Sequence, residues 1–107
     1  MIVKKWNSVF EFIEKDTRIN VWHLALILAI LRLADLQDNF TAIRVSRSVL
    51  MRLSHIRTLP TYHKYFKELQ EFGYITYFPS YHPGFRSILV LNSLLNERLA
   101  ENTSFSK

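Results

Sequence analysis

The stretch TLPTYHKYFKELQEFGYI, residues 58–75, indicates the fold more clearly than any other part of the chain. Thr58 is placed to cap a helix, and Pro60 falls in the first turn, where its missing N–H costs no hydrogen bond. Gly73 suits the left-handed position that follows a helix. Between them, apolar residues recur at the spacing of one helix face, at Tyr62, Phe66, Leu69 and Phe72. The stretch therefore predicts a helix that ends at Gly73 and turns this face toward a core.

A second helix is predicted just before this one. Ser46 is its expected cap and it runs to about Leu53. The residues expected to face inward are Val49, Leu50 and Leu53. A brief turn over Ser54–Arg57 separates the two helices and is expected to bury Ile56. Before Ser46, the segment Phe40–Val45 carries the β-branched residues of a short strand.

The N-terminal part predicts a long helix from about Val21 to Leu36, capped by Asn20. It is apolar nearly all round, and such a helix must be covered on every side. It is therefore either the central helix of the domain or part of a subunit interface. A short amphipathic helix is predicted before it over residues 7–15, with Asn7 or Ser8 as the cap.

Downstream of Gly73, two extended segments are predicted, Tyr74–Pro79 and Arg86–Leu91. The residues between them, 80–85, are typical of a turn. Ser93 is placed to cap a last short helix, Leu94–Ala100, and residues 101–107 are expected to fray.

The net charge of +5 belongs to one segment of the chain. Between Asp38 and Glu68 there is no acidic residue, whereas the remainder holds eight basic and nine acidic residues. The cations of the acid-free segment are Arg44, Arg47, Arg52, Arg57, Lys64 and Lys67. A localised basic surface is what a phosphate-binding face requires. The alternative is a solvated basic face with no partner.

Ile43–Asn92 resembles the winged helix-turn-helix family, in which two helices joined by a tight turn precede a two-stranded ribbon, the wing. The resemblance lies in the Ser46-capped helix, the turn at Ile56, and the runs 58–64 and 67–75. Over about residues 17–92 the chain also resembles small winged-helix proteins found near bacterial mobile elements and conjugative transposons. The segments that carry this narrower likeness are 61–64, 73–75 and 79–83. The wing tip departs from it, because Gly84-Phe85-Arg86-Ser87 stands where a basic residue, a glycine and a small residue are expected.

The resemblance implies binding of double-stranded DNA, with the helix after the turn in the major groove. Lys64 is the leading candidate for a base or phosphate contact, with His63 and Thr61 for polar readout and Lys67 beside them. Cations around the preceding helix are expected to bind backbone phosphates. Those residues are Arg44, Arg47, Arg52 and Arg57, with Thr58 in the same set. His82 and Arg86 on the hairpin are expected to reach a neighbouring groove or phosphate, although residues 81–83 could equally form a rigid turn. An ordinary solvated helix surface is the alternative for Lys64 and Lys67.

Other classes of protein find little support in the sequence. There is no cysteine, which excludes a disulfide scaffold and fits a reducing cytoplasm. The four histidines, His23, His55, His63 and His82, lack metal-ligand spacing, and no nucleophile elbow or phosphate-binding glycine loop occurs. The apolar run Leu24–Leu31 is too short to span a membrane. No secretory signal follows Met1–Lys5. We therefore expect neither an enzyme nor a membrane protein, and no cofactor, metal or small-molecule ligand.

The sequence thus predicts an α+β, mainly α, single domain over residues 1–107. Its parts are N-terminal helices (1–39), a helix-turn-helix plus wing (40–92), and a C-terminal helix with tail (93–107). The expected function is sequence-specific DNA binding, as a cytoplasmic, nucleoid-associated transcriptional regulator of mobile-element or conjugation genes. Two alternatives stay open: an accessory factor in replication, excision or transfer, and a winged helix used only for protein–protein contact. A homodimer is expected, with Trp6, Phe10, Trp22 and Ile30 as anchors; the alternative is a monomer whose flanking helices cover the helix 21–36.

Overall fold

A computed structural model of the chain describes residues 10–82 and 84–92. The fold is a small α+β structure in which helices pack on a three-stranded antiparallel sheet. In chain order the elements are α1 (residues 10–14), α2 (Val21–Gln37), β1 (Ile43–Val45), α3 (Arg47–Ser54), α4 (Leu59–Glu71), β2 (Ile75–Phe78) and β3 (Ser87–Leu91). The α+β class expected from the sequence is confirmed.

Helix α2 begins at the expected cap, Asn20. The Asn20 side chain accepts the backbone N–H groups of Trp22 and His23, and the His23 ring accepts the N–H of Asn20 in return. The helix ends at Asp38, which adopts the left-handed conformation with φ 51°. Its inner face is buried at His23, Leu26, Ile27, Ala29, Ile30, Leu31 and Ala34. Its outer face leaves Val21, Leu28 and Leu36 exposed, so the described residues of the chain do not cover that side of the helix.

Helices α3 and α4 follow the predicted bounds closely. The Ser46 hydroxyl accepts the N–H of Val49 and so caps α3, and the turn that follows buries Ile56. Thr58 occupies the cap position of α4, but its side chain makes no capping bond and instead donates to the hydroxyl of Thr61 at 2.9 Å. Gly73 has φ 90°, which confirms the left-handed position expected after α4.

The sheet has the strand order β1-β3-β2, with β3 antiparallel to both neighbours. Ile43 pairs with Leu89, and Ile75 pairs with Leu91. The strand predicted over Phe40–Val45 is shorter than expected. The carboxamide oxygen of Asn39 accepts the N–H groups of Thr41 and Ala42, and this turn delays the start of β1 to Ile43.

The core lies between α2, α3, α4 and the inner face of the sheet. Tyr62 stacks on Phe66, and Phe66 meets the edge of Tyr77 with ring centroids 5.1 Å apart. Ile30 is completely buried by its own chain. Its prediction as an anchor between subunits is therefore wrong, because a side chain already enclosed in the core offers no surface to a partner.

Several predictions lie outside the described residues. They are Trp6, Pro83, the part of the helix 7–15 that precedes residue 10, the helix 94–100 and the tail 101–107. Within residues 10–82 and 84–92, no helix is both long enough and apolar enough to cross a membrane.

Candidate functional site

The outer face of α4 carries the polar residues that the sequence analysis selected. His63, Lys64 and Lys67 are exposed, and Thr61 is half-buried. They lie opposite Tyr62, Phe66 and Leu69, which are buried as predicted. Because the inner stripe fills the core, the helix cannot rotate without unpacking it. The outward side chains are thus presented on a rigid support.

Lys64 also belongs to an aromatic cluster at the start of α4. Its Nζ lies 5.1 Å from the centre of the Tyr65 ring, and Trp22 stacks on the same ring with centroids 6.0 Å apart. Thr61 and Lys64 line a shallow cleft of about 280 Å³ together with Trp22, Pro60 and Tyr65. Trp22 therefore lies beside the α4 face, whereas the sequence analysis assigned it to a subunit interface.

The helix and the turn that precede α4 also carry exposed cations. Arg47 and Arg52 project from α3, and Arg57 and Thr58 are exposed in the turn before α4. Burial raises the pKa of the Tyr62 hydroxyl above its usual range, Tyr77 adds to the rise, and the charge of Arg47 opposes it. Arg47 is therefore close enough to the first turn of α4 to act on it electrostatically.

Arg44 and Arg86 are brought together although they lie far apart in the sequence. Both line a groove of about 510 Å³ between β1, the start of α3 and the β2–β3 loop. Gln37 fixes the backbone of Arg44 at both polar atoms: its Nε2 donates to the Arg44 carbonyl at 2.8 Å, and its Oε1 accepts the Arg44 N–H at 2.9 Å. Ser46 and Phe85 are further parts of the groove wall. The positively charged side chains thus converge on a concave surface.

The β2–β3 loop is anchored at its base by Ser87. The Ser87 hydroxyl oxygen accepts the O–H of Tyr77 at 3.1 Å and the N–H of Ser80 at 3.0 Å. Because Tyr77 also packs on Phe66, the loop is connected through the sheet to α4. His82 is exposed in this loop, with its ring 5.1 Å from that of Phe85.

None of the predicted Arg and Lys side chains is neutralised within the part of the chain that the structure describes. The ion pairs found there are Asp16 with Arg18, His23 with Glu68, and Arg32 with Asp35. The unpaired set comprises Arg44, Arg47, Arg52, Arg57, Lys64, Lys67 and Arg86. No described hydrogen bond, ion pair or ring contact joins Arg52, Arg57 or Lys67 to another member of the set. What unites these residues is a common charge on neighbouring elements.

Sequence reasoning missed the bond between His23 and Glu68. His23 is buried, its Nε2 lies 2.7 Å from Oε1 of Glu68, and its ring packs against Tyr65 and Phe72. The partners come from α2 and α4, so no local pattern could have paired them. This contact helps to fix the α4 face relative to the rest of the domain.

A second missed cluster lies around Asp16. Its carboxylate accepts bonds from the Arg18 guanidinium at 2.9 and 2.8 Å and from the Tyr74 hydroxyl at 2.7 Å. The bonds from Arg18, more than that from Tyr74, hold the pKa of Asp16 well below its usual range, against the effect of burial. Burial, reinforced by Asp16, raises the pKa of Tyr74. The Arg18 guanidinium also lies over the Phe72 ring, 4.4 Å from its centre. The cluster ties the segment before α2 to the end of α4 and to the residue before β2.

The arrangement offers exposed cations beside open grooves, which can bind anionic groups. Among the residues that the structure describes, no group of three or more His, Asp or Glu side chains is placed to hold a metal ion. The grooves at Lys64 and at Arg44 with Arg86 are open and positively charged. The groups with a shifted pKa, Asp16, Arg18, Tyr62 and Tyr74, are engaged in packing or hydrogen bonds. No protein-family model, curated protein or solved structure gives a significant match to this chain.

Proposed function

We propose that the chain is a winged helix-turn-helix protein that binds double-stranded DNA. The observation that carries the proposal is the set of exposed Arg and Lys side chains on α4, on β1 and α3 before it and on the hairpin after it, none of which has an ion pair in the described part of the chain. Arg and Lys side chains that have no ion pair with a protein carboxylate are available to bind phosphates. Each phosphate contact with DNA also releases a condensed counterion. Their placement on β1, α3, α4 and the hairpin suits a curved, regularly charged partner such as a duplex.

The fold supports the same proposal. The order α2-β1-α3-α4-β2-β3 and the sheet order β1-β3-β2 fit a helix-turn-helix followed by a wing. In that arrangement α4 enters the major groove and reads base edges with Thr61, His63 and Lys64. Arg47, Arg52 and Arg57 bind phosphates on one side of α4. Arg44 and Arg86 bind phosphates on the other, with His82 at the wing.

Within this function we favour a transcriptional regulator that occupies an operator, acting in the cytoplasm on mobile-element or conjugation genes. An accessory factor in replication, excision or transfer would use the same residues on another site. A protein–protein winged helix is the competing class, and it would leave the unpaired cations without a partner.

We further propose that two copies pair on a two-fold site, since one module buries only about 600–1,000 Å² on DNA. The surface for pairing is the outer side of α2 with α1, where Phe10, Ile19, Leu24 and Leu28 line a groove of about 390 Å³. Leu28 in this groove and Val21 on the same helix are both exposed. This surface replaces the one that included Ile30.

The deciding experiment is duplex binding measured as a function of salt, with fluorescence anisotropy on a labelled duplex of mixed sequence. For a protein that neutralises phosphates, log K falls linearly with log salt, with a slope of about −0.9 per phosphate contact. Steep salt dependence is the expected result. A chain without measurable affinity for any duplex at low salt would overturn the proposal and favour the protein–protein class.

A further inference from the structure

The β2–β3 hairpin exposes large aromatic side chains to solvent. Tyr81 is 92% exposed, Phe85 is 70% exposed and Phe78 is 54% exposed. A single exposed apolar residue is common, but three aromatic rings on one short hairpin form a surface that suits a partner. The hairpin core does not require them there, since the inner residues Tyr77, Leu89 and Leu91 already pack inward.

The charge around these rings identifies the kind of partner. Between Glu71 and Glu97 the sequence has no acidic residue. Phe85 shares its groove with Arg44 and Arg86. On the outer face of the sheet, Ile88 pairs with Arg44 on one side and with Phe78 on the other, so a cation and an aromatic ring lie in one row across the strands. A basic surface that also offers flat rings matches a partner with phosphates and π-faces, which is the chemistry of nucleic acid.

The geometry of the loop indicates whether the bases of a bound nucleic acid would be paired or unpaired. A wedge that opens a paired stack must supply a few kcal/mol, and it needs firm support from the protein. Tyr81 lacks that support, because nearly all of its surface faces solvent. An unpaired base has no pairing to lose and presents its face directly. Rings held out from a firmly anchored hairpin are therefore suited to bases that are already unpaired.

We infer that the β2–β3 loop is a stacking site for unpaired bases, carried by Tyr81 and Phe85, so that the protein prefers a duplex that continues into single-stranded DNA. This inference rests on the proposed function, because α4 holds the duplex from which the single strand runs toward the loop. On such a substrate Arg44 and Arg86 bind the phosphates at the point where the single strand leaves the duplex.

The test compares two probes: a blunt duplex of mixed sequence, two helical turns long, and the same duplex with a thymine overhang that contains 2-aminopurine. The wild-type protein is expected to bind the second probe more tightly, by about five- to a hundredfold, the range that stacking of one base on an aromatic ring produces. The 2-aminopurine fluorescence is expected to fall on binding, because stacking quenches it.

Substitutions separate stacking from simple hydrophobic contact. Tyr81→Leu and Phe85→Leu keep apolar surface but lose the flat ring, so both are expected to reduce the preference for the overhang. Tyr81→Phe keeps the ring and should therefore retain the preference for the overhang. Leu36→Ala removes an exposed apolar side chain from α2 and is the matched control. Equal melting temperatures for the variants establish that each is folded.

The outcomes distinguish the inference from the function on which it rests. Equal affinity for both probes, or an overhang preference that the Leu variants keep, overturns the stacking site while duplex binding stands. Binding of the overhang probe without binding of the blunt duplex overturns the duplex proposal but supports the stacking site. A protein that binds neither probe overturns both.

Discussion

The His23 imidazole on α2 is joined to the Glu68 carboxylate on α4, with Nε2 2.7 Å from Oε1. Nδ1 of the same ring accepts the N–H of Asn20 at 3.0 Å. A neutral ring therefore carries its proton on Nε2 and donates it to Glu68. The His23 ring therefore makes two bonds at once: one completes the N-terminal cap of α2, and the other positions α4.

Removal of the acceptor should destabilise the fold. Glu68→Ala leaves the buried Nε2–H of His23 without its partner, and we expect the free energy of unfolding to fall by about 1–3 kcal/mol. Urea denaturation at neutral pH measures it. Glu71→Ala removes an exposed carboxylate from the same helix and should change stability by less than about 0.5 kcal/mol. Equal losses in the two variants would contradict a structural role for the pair.

The phosphate-binding role assigned to α3 and the turn predicts a change in salt dependence. The triple variant that combines Arg47→Ala, Arg52→Ala and Arg57→Ala should weaken binding to all duplexes alike. The slope of log K against log salt should become shallower by about 0.9 for each phosphate that the protein no longer neutralises. Lys15→Ala with Arg32→Ala removes exposed cations outside the candidate site and should leave the slope unchanged. If the triple variant keeps the wild-type slope, these arginines do not bind phosphate.

Base readout by α4 predicts a loss of discrimination. Lys64→Ala and His63→Ala should each reduce the preference for the selected target over random duplex by more than they reduce random binding. Removal of a bidentate bond to a base costs about 1–3 kcal/mol. Competition binding against both duplexes measures the ratio, after target selection from a random library. If a variant loses affinity for the target and for the random duplex in the same proportion, these side chains contact only phosphate.

The Asp16 cluster predicts an acid-dependent part of stability. Hydrogen bonds, chiefly from Arg18, hold the folded pKa of Asp16 below its ordinary value of 3.8, so the carboxylate stabilises the fold above that pH. This contribution is lost as the pH falls below 3.8 toward the folded value. Asp16→Asn should therefore be less stable than the wild type by about 1 kcal/mol at neutral pH, with the gap closing in acid. Urea denaturation across this range checks it; a gap that stays constant down to the acid limit would refute the assignment.

The pairing surface on α2 predicts a dimer. Sedimentation equilibrium at micromolar concentration should give twice the chain mass of 12.7 kDa. Leu28→Asp places a charge on the proposed surface and should shift the equilibrium to the monomer. Leu36→Asp places the same charge on another exposed part of α2 and should not. A wild-type mass of one chain at every concentration would refute the dimer.

Helices were predictable from local signals because caps and periodicity are encoded over a few residues. Asn20 and Ser46 marked helix starts, Gly73 marked an end, and the stripe of Tyr62, Phe66 and Leu69 set the buried side of α4. The outward positions of α4 followed directly from that stripe.

Contacts between distant segments were not predictable in this way. The bond of His23 to Glu68, the meeting of Arg44 with Arg86, and the placement of Trp22 beside α4 all depend on tertiary packing. Ile30 was assigned to a subunit interface because composition reports how apolar a helix is, but not which of its sides the rest of the chain covers. The start of β1 was misplaced because Asn39 competes for the backbone of the next residues.

The central position of β3 sets the point in synthesis at which the sheet can be completed. β1 emerges from the ribosome before α3 and α4, but its pairing partner in the sheet is β3, which follows them both. Pairing between strands so distant in the chain forms late and slowly. Helices α2, α3 and α4 are synthesised before that moment, whereas the groove lined by Arg44 and Arg86 can form only after it. A nascent chain therefore carries Arg44 well before the groove that it shares with Arg86 can form. Under the proposed function, phosphate binding at this groove has to wait until β3 has left the ribosome.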